Sequence, residues 1–404
     1  MPTVAIIATL DTKGREAAFL RERIEGAGVA SMVIDTGIRA PTGCVPDVSR
    51  DQVAEAAGTS IETLVAADDR GQAVEAMGRG LTVLLTGLVN DGKVQAALGI
   101  GGSGGTSISS AAFRALPIGV GKLIVSTLAA GQTAPYVGTK DIAMMPSVVD
   151  VEGLNRISIP ILTNAAAAIV GMATAQPPEI ETRPLIGVTM FGVTTACVKQ
   201  ACAVLERAGY ETVVFHAVGT GGKTFESLIA DGFFAGVLDV TTTEWCDELV
   251  GGVLSAGPHR LEAAGRAGIP QVVCPGALDM VNFGAIETVP EPFRDRNLYV
   301  HNPQVTLMRT TPAENRELGR VIAEKLNRAA GPTSFFIPTR GVSAIDAAGQ
   351  PFDDPAARTA LFDALRAHLD RDRVRLVELD AHLNDPAFSK AIAERLLEDL
   401  GTPT

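Results

Sequence analysis

A chain of 404 residues, 46% hydrophobic and 20% charged, is too long for one hydrophobic core and too apolar for disorder. Its formal net charge of -12 excludes binding to nucleic acid or to an anionic membrane through a general cationic field. No stretch supplies the roughly 18 to 20 apolar residues of a membrane-spanning helix, since the richest, Ile157 to Met172, is broken by Pro160 and Asn164.

The opening MPTVAIIATLDTKG reads as a strand, Val4 to Ala8, rather than a signal peptide, because it lacks a basic leader and a small-residue cleavage site. Thr12 to Ala27 has helical spacing, with Ala17, Leu20, Ile24 and Ala27 on one face, and Val29 to Ile34 is the next strand. Residues 36 to 52 hold Pro41, Gly43 and Pro46 and form a turn-rich excursion. An amphipathic segment over 71 to 89 leads into a strand, Val94 to Ile100, which runs into GGSGG and a helix predicted from Thr106 to Ala115. Further apolar runs at Lys122 to Val125 and Ala143 to Val149 complete an alternation that builds a mostly parallel sheet.

ATAQPPEIETRP, Ala173 to Pro184, is polar and Pro-rich, so it is the linker candidate. After it the plan restarts: strand Leu185 to Met190, helix Cys197 to Ala208 ended by Gly209, strands Val213 to His216, Ala235 to Val240 and Gln271 to Cys274. The expected architecture is α/β, two Rossmann-like domains with mostly parallel sheets, at 1–176 and 185–404, joined by a linker at 177–184. Thr311, Pro312 and Glu314 form a capping box that starts a late helix, and Asp385-Pro386 starts another. The five cysteines are scattered without a CxxC pair, which fits reduced thiols in a cytoplasm and disfavours structural zinc.

Chemistry concentrates where strands end. The run Gly101, Gly102, Ser103, Gly104, Gly105, Thr106 removes Cβ atoms, lets backbone N–H groups curl toward a ligand, and places a helix N-terminus behind them, a combination that favours phosphate. It is neither GxxxxGK[ST] nor a clean GxGxxG, and a turn that merely lets a helix pack close to a sheet is the plain alternative. In a parallel sheet the neighbouring loops gather over the same crevice. Asp11, Thr12 and Lys13 end the first strand, with Lys13 supplying the cation the glycine loop lacks, and Asp35-Thr36-Gly37 ends the second, where a carboxylate could meet a ribose hydroxyl.

ATLDTKG, GIGGSGGTSISSAAFRALPIG, VSTLAAGQTAPYVGTKDI, PSVVDVEGLN, GVTMFGVTT and GALDMVNF also resemble the family of the plant tobamovirus-resistance protein, across nearly the whole chain. That resemblance implies a two-domain α/β fold, a homodimer, and ATP held by the first domain through Asp11, Thr12, Lys13, Arg70 of the DRG stretch, the loop Gly101 to Gly105, and Thr106. DTG at 35 to 37 departs from the plant pattern DVST, which leaves Asp35 and Thr36 without a carried-over role.

In the second domain His216 closes one strand and Asp239 another, Glu244 follows Thr241 to Thr243, and His301 lies in YVHNPQVTLMRTT. Read as chemistry, His216 or His301 is a general base and Asp239 with Glu244 holds Mg2+ beside a nucleotide phosphate, facing an interdomain cleft. Read plainly, each is a hydrogen-bonded structural residue. GTGGK at Gly219 to Lys223 offers a second anion nest, and Cys197, near a helix start, could have a lowered pKa. The expected function is a cytoplasmic ATP-binding protein, taking Mg2+ with the nucleotide. Two further readings stay open, an ATP-dependent enzyme on a small polar substrate and a non-catalytic nucleotide-regulated module that binds a protein. An NAD-dependent dehydrogenase is disfavoured by the glycine register.

Overall fold

The computed structural model describes residues 1–179 and 181–401, and the chain falls into two compact units, the first ending at Glu179. The division lies inside the expected linker, whose Ile180 is outside the described residues; the preceding helix runs to Thr174.

In the first unit β1 (Thr3–Ala8) leads through α1 (Leu10–Gly26) to β2 (Ala30–Asp35). α2 (Arg50–Ala56), α3 (Ile61–Ala67) and α4 (Arg70–Asn90) precede β3 (Ala96–Gly101), and α5 (Ser103–Ala115) leads to β4 (Gly121–Ser126). A short α6 (Ala134–Val137), β5 (Ala143–Pro146) and α7 (Ser158–Thr174) complete it. The strands pair in parallel in the order β2-β1-β3-β4-β5, with Ile7 beside both Ile34 and Gly99.

Strand side chains alternate between faces, so each strand feeds two cores. Ala5 and Ile7 pack with Met77, Leu81, Leu85, Ala112 and Phe113 of α4 and α5. Val4, Ile6 and Ala8 pack with Leu20, Ile24, Leu162 and Ile169 of α1 and α7. The apolar run of α7 is thus accounted for by one sheet face, and among the described residues no helix is long and apolar enough to cross a membrane.

The second unit opens with β6 (Leu185–Met190), α8 (Thr195–Arg207), β7 (Glu211–His216), α9 (Thr220–Ala230) and β8 (Phe234–Thr241). α10 (Glu244–Val250), α11 (Ala263–Ala267) and β9 (Gln271–Gly276) follow. Then come β10 (Met280–Phe283), β11 (Leu298–Asn302) and β12 (Val305–Arg309), and finally α12 (Pro312–Leu326), β13 (Thr333–Pro338), α13 (Pro355–His368), β14 (Val374–Leu379) and α14 (Pro386–Leu400). The main sheet is parallel, in the order β14-β13-β9-β8-β6-β7. Counted from β6 this is 2-1-3-4-5-6, the order of the first unit extended by one strand.

Two expectations need correction. YVHNPQVTLMRTT, which holds His301, is not a loop at a parallel strand end: Met280–Phe283 and the Leu298–Arg309 hairpin form a separate antiparallel sheet in the order β10-β12-β11. Pro303 occupies the hairpin turn, where the Asn302 side chain accepts the Gln304 N–H at 2.9 Å. The helix after the glycine run begins at Ser103, three residues earlier than its composition suggests. Glycine is tolerated there because N–H groups of a first turn have no intrahelical acceptor to lose. The Thr311–Glu314 capping box is present as read, with Pro312 opening α12.

Candidate functional site

In a doubly wound sheet the crevice opens where the strand order reverses, at the carboxyl ends of the two strands whose connections leave in opposite directions. In the first unit that point lies between β1 and β3. The segments leaving it are Thr9 to Lys13 and Gly101 to Thr106, so the topology brings together two of the stretches singled out in the sequence.

The glycines of the second stretch divide into two kinds. A Cβ on Gly99 would lie 2.3 Å from Ser109 Oγ and one on Gly105 2.8 Å from the Ile100 carbonyl, so close packing of α5 on β3 requires glycine at both. Gly102 and Gly104 have no such reason: a Cβ would meet Thr127 Oγ1 at 3.7 Å, or Val74 Cγ2 at 3.6 Å and Arg70 Nη2 at 3.8 Å, all ordinary contacts. Their bareness faces outward. No side chain caps α5, and its first backbone bond of the α type is Thr106 N–H to Gly102 O, which leaves the N–H groups of Ser103, Gly104 and Gly105 without intrahelical partners.

Arg70, the first residue of α4, reaches this turn, as its 3.8 Å approach to the Gly104 position shows. Lys13 sits one turn into α1 where the helix is kinked, with φ -121° and ψ 18°. Neither cation has an ion-pair or hydrogen-bond partner among the described residues. Thr12 is exposed, its hydroxyl 3.1 Å from that of Thr9.

Other assigned residues turn inward. Thr106 is fully buried, and its hydroxyl shares a 2.7 Å hydrogen bond with Ser126, whose Oγ accepts the Leu128 N–H; it fixes the loop after β4 rather than facing a ligand. Asp35, read as a ribose partner, is also fully buried: its Oδ1 accepts the N–H groups of Leu10 and Gly37 and so clamps the start of α1 to the end of β2. Burial pushes its pKa up. Asp11 stands beside it, its Oδ1 3.0 Å from where a Gly37 Cβ would be.

The equivalent reversal in the second unit lies between β6 and β8, and there the protein's own side chains fill the space. Arg260 is 1% exposed and binds three carboxylates: Asp239 through both terminal nitrogens, at 2.5 and 2.7 Å, Glu244 through Nε at 2.8 Å and Glu226 at 3.1 Å. Asp239 also accepts from the Thr189 hydroxyl at 2.6 Å. Glu244 Oε1 accepts the N–H groups of Gly219 and Gly222, so the GTGGK nest holds an internal carboxylate. Burial raises the Glu244 pKa against the opposing pull of Arg260.

Asp239 and Glu244 are therefore brought together as expected, but around a guanidinium that stands where Mg2+ was expected. Among the described residues no group of three or more His, Cys, Asp or Glu side chains is arranged to hold a metal ion. The two histidines do not join this network. His216 is exposed and stacks on Phe191 with ring centroids 5.4 Å apart, while His301 is exposed on the antiparallel hairpin, 6.5 Å from the Tyr299 ring. Cys197 is buried, which pushes its thiol up to about 12, the reverse of the expected lowering. Sequence reading missed Arg260 and Glu226, two isolated charges without a motif, and Thr127, which stands beside Gly102.

These features define an α/β protein of two Rossmann-like units, one with an open glycine turn and the other with its equivalent point filled. The chain belongs to the family described as Uncharacterised protein family (UPF0261), matching its N-terminal domain over residues 2–178 and its C-terminal domain over 183–400. It is 53% identical to a UPF0261 protein of Clostridium tetani over 98% of each chain, and 48% identical to one of Rhizobium meliloti over the full length of both. It is also 41% identical to the ToMV resistance protein Tm-1 of Solanum lycopersicum, covering 98% of this chain and 56% of that protein. Among solved structures, a putative UDP-N-acetylglucosamine 2-epimerase from Listeria monocytogenes aligns over 98% of this chain and 94% of its own at 13% identity, but its TM-score of 0.24 supports no argument.

Proposed function

We propose that the first unit binds ATP, with Mg2+, at the reversal between β1 and β3. The observation that carries this reading is the pair Gly102 and Gly104, which no packing requires, at an uncapped helix N-terminus with the unpartnered Arg70 alongside. Three free N–H groups and the helix dipole favour a dense negative charge, and Lys13 and Arg70 supply the countercharge in a chain that is otherwise acidic. In this role Asp35 and Thr106 hold the two loops in place from behind, and Lys13, Arg70 and the backbone of Ser103 to Gly105 touch phosphate.

Of the two functional classes, the nucleotide-regulated binding module has the better support, because Asp239 and Glu244 are occupied with Arg260 and leave no carboxylate free for proton transfer there. As part of the same reading the protein acts as a homodimer, the commonest closed assembly, in the cytoplasm, where its five free thiols would stay reduced.

Calorimetric titration with Mg-ATP tests the site. Lys13→Ala and Arg70→Ala should each weaken binding by about 1.5 to 3 kcal/mol, the range of a charge-assisted hydrogen bond, without changing the unfolding midpoint of the free protein. ATP binding that both variants leave intact would move the site elsewhere, and NAD binding in place of ATP would replace the ligand.

A further inference from the structure

We propose that the amino-terminal edge of the second unit's sheet, the end opposite its strand reversal, holds a binding site for a small polyanion carrying at least two phosphate or carboxylate groups. A cavity of about 470 Å³ opens there at the starts of β13 and β14, lined by Ser334, Arg371, Asp372, Arg373, Arg375 and Arg395. Four arginines around one cavity are conspicuous in a chain with 46 acidic and 34 basic residues.

Two of the four are neutralised locally. Arg395, projecting from α14, is held by Asp399 at 2.9 Å and by Glu398 at 2.9 Å, and Arg373 lies 3.7 Å from Asp370. Arg371 and Arg375 make no hydrogen bond or ion pair among the described residues; the hydrogen bond from Arg366 chiefly lowers the pKa of Glu378, and Arg371 adds only its charge to that effect. Asp372 and Asp399 are the opposing charges in the lining, and Asp399 is already engaged with Arg395.

Charged side chains on an edge strand also deter pairing with another sheet, and β14 is such an edge. That purpose needs charge along the strand alone, whereas here the arginines converge from the loop before β14, from β14 itself and from α14 onto one concavity of ligand size. Planar guanidinium forks match phosphate and carboxylate oxygens two at a time, so a ligand with two anionic groups would satisfy Arg371 and Arg375 together. The site is independent of the glycine turn in the first unit.

The test uses the full-length chain with Lys13→Ala and Arg70→Ala introduced to silence the glycine turn, titrated calorimetrically with inorganic pyrophosphate and separately with citrate in about 0.15 M NaCl, where exposed charges are screened beyond roughly 8 Å. At least one of the two should bind at one site per chain. Adding Arg371→Ala and Arg375→Ala should lower that affinity at least about tenfold, with Arg371→Lys and Arg375→Lys falling between, since lysine keeps the charge and loses the fork. Preference for pyrophosphate over citrate would assign a phosphorylated ligand, and the reverse a polycarboxylate. No binding of either probe, or binding that survives the double alanine variant, would overturn the proposal. Both arginines are exposed, and an unchanged thermal unfolding curve would show that the variants remain folded.

Discussion

The two units share a strand order and reverse it at the same place, yet treat that place in opposite ways. Between β1 and β3 the first unit exposes bare backbone and two cations unpartnered among the described residues; between β6 and β8 the second unit seats Arg260 among Asp239, Glu244 and Glu226 and fills its glycine turn with Glu244. Topology creates a crevice, but side chains decide whether a ligand or the protein occupies it. A parallel sheet aims its helix N-termini at one end regardless, so each positive end favours an anion. In the second unit that anion is built in.

The sharpest way to break this comparison is to remove the cation from the filled crevice. Arg260→Met should destabilise the protein by about 3 to 5 kcal/mol, because it strands three carboxylates in a buried site. Urea denaturation reads the loss directly, and a change below about 1 kcal/mol would mean that the cluster is hydrated and the crevice open.

The buried carboxylates around α10 give the second unit a pH dependence. Asp247 accepts from Asn282 and Leu254, yet burial pushes its pKa from 3.8 up to about 6. A carboxyl whose pKa is higher folded than unfolded binds more protons when folded, so its contribution is complete below pH 3.8 and is lost as pH rises through about 6. The loss amounts to about 3 kcal/mol. Asp279 is raised in the same direction by burial and by the neighbouring charge of Asp346, extending the decline upward. Stability measured by denaturant from pH 4 to 7 should fall with pH, and Asp247→Asn should flatten that slope; a rising wild-type profile would contradict the assignment.

The sequence revealed the open crevice better than the filled one, for physical reasons. Continuous apolar runs such as Val4 to Ala8 and a dense glycine block are local signals, and they located β1, β3 and the turn between β3 and α5. The start of α5 was misplaced because glycine in a first turn carries little penalty. Arg70 at its helix start read more readily as a solvated charge, and family resemblance carried it into the site, since nothing in DRG itself aims a side chain at Gly104. Arg260 had no readable signal: its partners lie 16, 21 and 34 residues away, and a lone arginine in PHRLEAAG resembles any solvated charge. The antiparallel sheet was missed because its strands are only four or five residues long, too short for alternation to stand out.

Smaller effects sharpen the distinction between the two kinds of glycine. Gly105→Ala should cost about 1 to 3 kcal/mol, because its Cβ would press on the Ile100 carbonyl at 2.8 Å. Gly104→Ala should be neutral or stabilising by up to about 1 kcal/mol, since alanine is the better helix former and the space is there. Thermal unfolding of the ligand-free variants separates the two, and equal losses at both positions would remove the argument for an outward-facing glycine.

Gly104→Ala then allows the most direct test of the central claim, that bareness at this turn serves a ligand and not the fold. Mg-ATP titrated into wild-type protein should bind at one site per chain, and the same titration into Gly104→Ala should show affinity lowered at least about tenfold in a protein no less stable than its parent. A variant that binds Mg-ATP as tightly as the wild type, or a wild type that binds none, would contradict the account.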